Sequence, residues 1–311
     1  MLKSLRWVLL CCAAMALLLS ASAFAVEPGE GYVDVPGGQV WYRVVGSSAA
    51  TPLLVLHGGP GIPSDYLFSL SDLAGDRPVV FYDQLGCGRS TQTSDPALWT
   101  VDRFVAEIDA VREQLGLNEV HLYGHSWGTV LAVEYMLTQP AGVKSLVLCG
   151  PALSFENWER DVDSLLRTFP DSLRSVIMTT ERDGSYQSSA FQQAVMDFYH
   201  SYLARSQPWS ADLRHAVETR NLPMSVHMLG PSPFSVTGTL KNYDCTSQLS
   251  QITVPTLLLA GDHDEVLPST LVAYNKLFPR SEAAIVGRSG HLPTHDQPDK
   301  HNRIVRRFLK K

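Results

Sequence analysis

The sequence predicts an α/β fold: a mostly parallel central sheet with helices on both faces and an inserted helical cap. Three observations predict it. Short apolar runs recur at Leu53–Leu56, Val79–Tyr82 and Val120–Tyr123, bounded by Gly, Pro or Asp, the pattern of strands buried on both faces. Helical patterns are interleaved with them, as in βαβ units. From Pro151 to Gln251 the strand signal stops and helical texture takes over, before strand-like runs return at Thr256–Ala260 and Ala284–Val286.

Taken in chain order, residues 1–25 stand apart from the fold. Lys3 and Arg6 form a short basic region, an apolar run follows from Trp7 to Leu19, and small residues end at Ala23-Phe24-Ala25. That is the layout of a secretory signal peptide, with cleavage expected before Val26. An apolar run of about 13 residues is too short to span a bilayer, so no stable membrane anchor is expected. Cys11 and Cys12 lack the small residue that a lipid-attachment signal wants. The expected location is periplasmic or secreted.

The mature chain of about 286 residues is long enough for one large core with an insertion. The core is expected to comprise 26–150 and 252–311, with the cap at 151–251. Tyr32 to Val45 alternates apolar and polar around Pro36-Gly37-Gly38, which reads as a hairpin. Phe104, Val105, Ile108, Val111 and Leu115 repeat at helical spacing and Gly116 marks the stop. Thr129–Thr138 reads as a helix ended by Pro140, and Ser145–Cys149 as another buried strand. Within the cap, helices are expected near Asp161–Thr168, Ala190–Arg205 and Ala211–Thr219. Lys300–Lys311 reads as a basic amphipathic helix closing the chain, its charge matched to the C-terminal dipole.

The formal charge is −6, falling to −8 once Lys3 and Arg6 are removed. A mildly acidic chain without a basic patch argues against nucleic acid as partner. Cys87, Cys149 and Cys245 remain, an odd number that allows at most one bridge, so the fold must be held by its core. Cys149, at the end of an apolar run, reads as a buried thiol. No Cys/His cluster has zinc-ligand spacing, and neither a metal nor an organic cofactor is expected.

The chemistry centres on Gly124-His125-Ser126-Trp127-Gly128, directly after the strand at Val120–Tyr123. Gly-x-Ser-x-Gly between strand and helix is a nucleophile elbow, a tight turn that lifts the serine hydroxyl clear of the sheet. A serine needs a base, and the base an orienting carboxylate, in the order Ser, Asp or Glu, His. Gly290-His291 follows the last strand, which makes His291 the base. Gly261-Asp262-His263-Asp264-Glu265 follows the strand before it, so an orienting carboxylate emerges there, Asp264 or its rival Asp262. His263 and His295 are read as bystanders, and His125 as pointing away from the acyl site. An oxyanion needs two donors. The backbone N–H of Trp127 is one, and the loop His57-Gly58-Gly59-Pro60-Gly61 supplies the other, Gly59 ahead of Gly58. A Gly-rich loop can also cradle phosphate, but the P-loop Lys-Ser/Thr is absent.

At these residues the chain resembles the proline iminopeptidases and related tricorn-associated aminopeptidases, serine peptidases of the α/β-hydrolase fold. The matching pieces are His57-Gly-Gly-Pro-Gly61, Asp83-Gln-Leu-Gly-Cys-Gly-Arg-Ser90, the elbow, Gly238-Thr-Leu-Lys241 with Asp244, and Asp264-Glu265-Val266. They span most of the mature chain in the expected order. The resemblance implies a Ser126/Asp264/His291 triad, favouring Asp264 over Asp262, and removal of an N-terminal residue, often proline, from short peptides. It makes Asp83 and Arg89 a structural pair, and it gives Glu265 the role of holding the substrate ammonium.

One departure bears on substrate. Where relatives commonly read Gly-Pro-Asn-Glu-Phe, this chain has Gly230-Pro231-Ser232-Pro233-Phe234, and Pro233 cannot replace a carboxylate. Glu156, Asp163, Asp197 and Glu218 are the cap acids within range of sequence to substitute. The alternative is an esterase or lactonase acting on a small acyl substrate with the same triad. Cap aromatics such as Phe155, Trp158 and Trp209 suit an apolar pocket in either case, though simple cap packing accounts for most of them.

Overall fold

The structure is a computed structural model that describes residues 26–311. The expected export signal at 1–25 lies outside the described residues. Eight strands form one sheet in the order β1-β2-β4-β3-β5-β6-β7-β8. β1 (Gly29–Val35) and β2 (Gly38–Val45) are the expected antiparallel hairpin, turning at Pro36-Gly37, and β2 also runs antiparallel to β4 (Val79–Tyr82). From β4 onward every pairing is parallel: β3 (Leu53–Leu56), β5 (Val120–His125), β6 (Val143–Cys149), β7 (Thr256–Gly261) and β8 (Ser281–Val286).

Alternation along the strands divides the core into two layers. Leu54, Leu56, Tyr82, Leu122, Leu148 and Leu258 pack on one face, with the helices Val101–Gln114, Trp127–Leu137 and Pro268–Asn275. Leu53, Val55, Phe81, Tyr123, Val147 and Leu259 pack on the other. That face carries the 3-10 segment Ser64–Gly75 and the closing helix Pro298–Leu309. Each such side chain, removed from water, contributes about 1.5–3 kcal/mol. Cys87, Cys149 and Cys245 are free, buried thiols. Among the described residues no helix is long and apolar enough to cross a membrane.

Between β6 and β7 the chain is helical: Phe155–Leu166, Asp171–Asp183, Ser189–Phe198, Ala211–Glu218 and Leu222–Met228. Val162, Ile177, Phe191, Phe198 and Phe234 make their own apolar cluster. Two of these helices have no counterpart in the sequence reading. Asp171–Asp183 buries only Ile177 and Thr180, so its apolar stripe is faint, and Leu222–Met228 is short with a proline in its first turn. The single helix expected at Ala190–Arg205 ends at Phe198 and continues as a π-helical turn, Tyr199–Leu203. Carbonyls of that turn are used outside it: Tyr202 O accepts from His291 N–H at 2.7 Å and Leu203 O from Leu292 N–H at 2.9 Å. A tertiary contact therefore sets the helix end.

Candidate active site

Ser126 sits one residue past β5, at the cap position of the helix Trp127–Leu137, with φ 52° and ψ −121°. A non-glycine residue in this region is strained, by on the order of 1–3 kcal/mol, and surrounding contacts must hold it there. The elbow glycines show what holds it. A Cβ on Gly124 would strike the Gly128 carbonyl, and one on Gly128 would strike the Leu56 carbonyl. Strand, elbow and helix thus pack backbone to backbone, while Ser126 remains only half-buried.

The loops after β7 and β8 bring two further groups to the same end of the sheet, where ligands bind in open parallel sheets. His291 Nδ1 lies 2.7 Å from Asp264 Oδ1, both buried. Asp264 also accepts from Gly261 N–H at 3.2 Å and Val266 N–H at 2.9 Å, which fixes the carboxylate. The rival acid is elsewhere: Asp262 accepts from Ser289 N–H at 3.0 Å and pairs with the exposed His263. Burial disfavours the His291 imidazolium, but the charge and hydrogen bond of Asp264, with help from Glu265, outweigh it and raise His291 to about 9. Gly150, at the end of β6, makes room for the ring; a Cβ there would fall 2.5 Å from His291 Cε1. Ser126 and His291 line one cavity of about 310 Å³.

The loop after β3 forms another wall. Gly58 N–H is committed to Tyr66 Oη at 2.6 Å. Among the hydrogen bonds of the described residues, Gly59 and Trp127 N–H have no acceptor, and both residues line the cavity. Two features that the sequence reading did not foresee hold this loop. Gln84 bridges it to the elbow: its N–H donates to His57 Nε2, its amide donates to His57 O, and Trp127 Nε1 donates to it, each at 2.9 Å. Burial lowers the His57 pKa against the pull of Asp83, keeping the neutral ring that this acceptor role requires. The second is the strap Asn221–Ser225 of the cap. Asn221 N–H donates to Gly61 O at 2.8 Å, and Ser225 Oγ to Pro60 O at 2.6 Å.

His125 corrects the sequence reading. It lines the cavity, and its ring centroid is 4.8 Å from that of His291. Nε2 faces His291 O at 2.9 Å, so it must carry the proton, and Nδ1 must accept from Tyr66 Oη at 2.8 Å. Burial, then the neighbouring His291, keeps His125 neutral. A chain of hydrogen bonds therefore runs from Gly58 through Tyr66 and His125 to the backbone of His291. His295 is half-buried and bonds Ser206 O. Arg89 binds Asp65 at 2.6 Å and Asp83 at 3.2 Å, and Asp83 in turn accepts from Ser64, so this group braces the loops behind the site.

Among the described residues Glu265 is the sole carboxylate lining the cavity. Burial pushes its carboxyl up, Asp264 adds to this, and His291 and Trp158 oppose it. None of Glu156, Asp163, Asp197 and Glu218 lines the cavity, whereas Pro233 does. Glu159 and Glu181 lie behind the Pro233 segment and are used on Val236 N–H and the Ser235 hydroxyl. The remaining wall is apolar and aromatic, with Phe155, Trp158, Phe191 and Trp209.

This arrangement defines a class. Residues 51–298 match the family model described as alpha/beta hydrolase fold. Two solved structures align over 91% of this chain: the protein named VinJ (TM-score 0.88, 31% identity, 99% of its chain) and a proline iminopeptidase from Mycobacterium smegmatis (TM-score 0.85, 30% identity, 98% of its chain). The proline iminopeptidase of Heyndrickxia coagulans is 41% identical over 282 residues, 90% of this chain and 98% of its own. The chain belongs to the proline iminopeptidase family.

Proposed function

We propose that this protein is a serine aminopeptidase that releases an N-terminal proline or other small residue from short peptides through an acyl-enzyme. The observation that carries the reading is the buried Asp264–His291 pair at 2.7 Å, with His291 and Ser126 lining one cavity whose one carboxylate among the described residues is Glu265. In this mechanism Ser126 Oγ attacks the carbonyl and His291 takes its proton, then delivers it to the leaving amine. Asp264 steadies the imidazolium. Water repeats the sequence on the ester. The N–H groups of Gly59 and Trp127 receive the oxyanion, each donor contributing about 3–4 kcal/mol of barrier lowering.

Glu265 holds the substrate's ammonium. A carboxylate buried without a cation is costly, and an incoming ammonium relieves that cost. Pro233 favours a second reading, an esterase or lactonase on a small acyl substrate, because it leaves Glu265 unassisted. Prolyl, alanyl and other aminoacyl chromogenic amides, run beside N-blocked amides and p-nitrophenyl esters, separate the two. The aminopeptidase cleaves free-amine amides and refuses blocked ones; rapid ester cleavage without amide turnover establishes the second reading. Glu265→Gln is expected to raise KM for free-amine substrates by at least about tenfold, the worth of one charge-assisted contact, with little change for esters.

Residues 1–25 carry an export signal in this proposal, cut before Val26, which places the mature enzyme in the periplasm or outside the cell. N-terminal sequencing of protein recovered from each fraction tests this. A cytoplasmic chain that keeps Met1 refutes it.

A further inference from the structure

Among the described residues the cavity holds one fully cationic side chain besides its titratable histidines. Arg220 lines it, is exposed, and therefore stands at its mouth. Among the described residues its guanidinium has no ion pair; its hydrogen bond is from Nη1 to Val217 O at 3.2 Å. Its position is not left to a floppy loop. The next residue, Asn221, donates its N–H to Gly61 O at 2.8 Å and its side-chain amide to Gly86 O at 2.9 Å. Arg220 is thereby held against the Gly59–Gly61 loop, whereas Glu265 adjoins Asp264 and the His291 side. Tyr199, on the cap's π-turn and lining the same cavity, feels the charge of both: burial raises its pKa most, Glu265 adds to this and Arg220 opposes.

We infer that Arg220 binds the C-terminal carboxylate of the substrate, and that the enzyme is built for free-acid peptides of two or three residues. The inference rests on the aminopeptidase reading, which puts the ammonium at Glu265. A mostly apolar cavity with one anion and one cation is complementary to a zwitterion. Guanidinium is the side chain best matched to a carboxylate, through parallel N–H donors. The size agrees: 310 Å³ is near the lower end of small-molecule sites, about 300–1,000 Å³. An extended dipeptide spans about 7 Å, each further residue adding about 3.5 Å, so chain length is itself a ruler for the spacing of the two charges.

The test measures kcat/KM for prolyl or alanyl di-, tri- and tetrapeptides, each as the free acid and as its C-terminal amide. Wild type is expected to prefer the free acid by about tenfold at two or three residues, the worth of one charge-assisted bond at a half-solvated mouth, with the preference fading at four. Arg220→Gln should bring the acid-to-amide ratio to about one, and Arg220→Lys should restore part of it. Raised salt should shrink the wild-type ratio, because an exposed pair is screened. Equal rates for acid and amide in wild type, or a ratio unchanged in Arg220→Gln, overturn the inference while the aminopeptidase stands. Failure to cleave any free-amine peptide removes both together.

Discussion

Replacing Asp264 with Asn tests the catalytic arrangement most directly. A rise in His291 from 6.5 to about 9 corresponds to about 3 kcal/mol in favour of the imidazolium. Asp264 supplies more than this difference, since burial of the ring pulls the other way. In Asp264→Asn the burial effect is left nearly unopposed, and the His291 pKa should fall below 6.5. Losing at least about 3 kcal/mol of imidazolium stabilisation costs roughly a hundredfold or more in rate. The amide also disturbs the ring's tautomer and orientation, which brings the expected loss to about 10⁴ in kcat.

The assay is kcat/KM against pH on an uncharged p-nitrophenyl ester, so that no substrate amine titrates. Protonated His291 cannot accept the Ser126 proton, so wild-type activity should climb with pH through a midpoint near 9. The residual activity of Asp264→Asn should have its midpoint below about 6.5. Asp262→Asn should leave the profile in place, because Asp262 bonds Ser289 and His263 instead. The reasoning fails if Asp264→Asn keeps the wild-type profile, or more than about a tenth of the wild-type rate. Stability carries the same signature. A raised histidine pKa contributes stability that is full below about 6.5 and lost as pH rises through about 9. The wild-type Tm should therefore fall more across that interval than that of Asp264→Asn.

Substitutions at three further positions probe the frame around these groups. Ser126→Ala should cut turnover by several orders of magnitude with the fold intact, and Ser126→Gly should also raise Tm by about 2 °C as the strain at φ 52° is relieved. Calorimetry beside an activity assay checks both; a Tm drop in the glycine variant refutes the strain. Gly150→Ala places a methyl 2.5 Å from His291 Cε1 and is expected to lower kcat at least about a hundredfold, with the ring visibly displaced in a crystal structure. Ser225→Ala frees the Pro60 carbonyl from its cap strap and should lower kcat about tenfold with KM changed less, while Ser225→Thr recovers most of the loss. An equal rise in KM would make Ser225 a substrate contact instead.

The middle of the sheet was readable because β3, β4 and β7 are buried along their whole length. Their residues must then be apolar over the whole run, and the turns between runs need Gly, Pro or Asp. The missed helices lacked that constraint: Asp171–Asp183 buries two residues, and the break after Phe198 depends on His291 and Leu292, more than 90 positions away. His125 was misjudged for a related reason. Its neighbour in sequence is the nucleophile, but its ring direction is set by Tyr66 and the His291 carbonyl, which sequence distance hides.

The sequence by itself determined the strand–turn–helix geometry at Ser126, because only glycine fits backbone as close as that between Gly124, Gly128 and Leu56. It also determined that an acid and a histidine follow later strand ends. Which acid reaches the ring was decided by tertiary structure, where Asp264 has Gly261 and Val266 as donors and Asp262 has Ser289. The contents of the cavity were decided there as well. Cap acids equally near in sequence point elsewhere, Pro233 lines the wall, and Glu265 and Arg220 face one space. A local motif encodes the path of its own backbone; the charges that meet across a cavity depend on how separate elements pack over it.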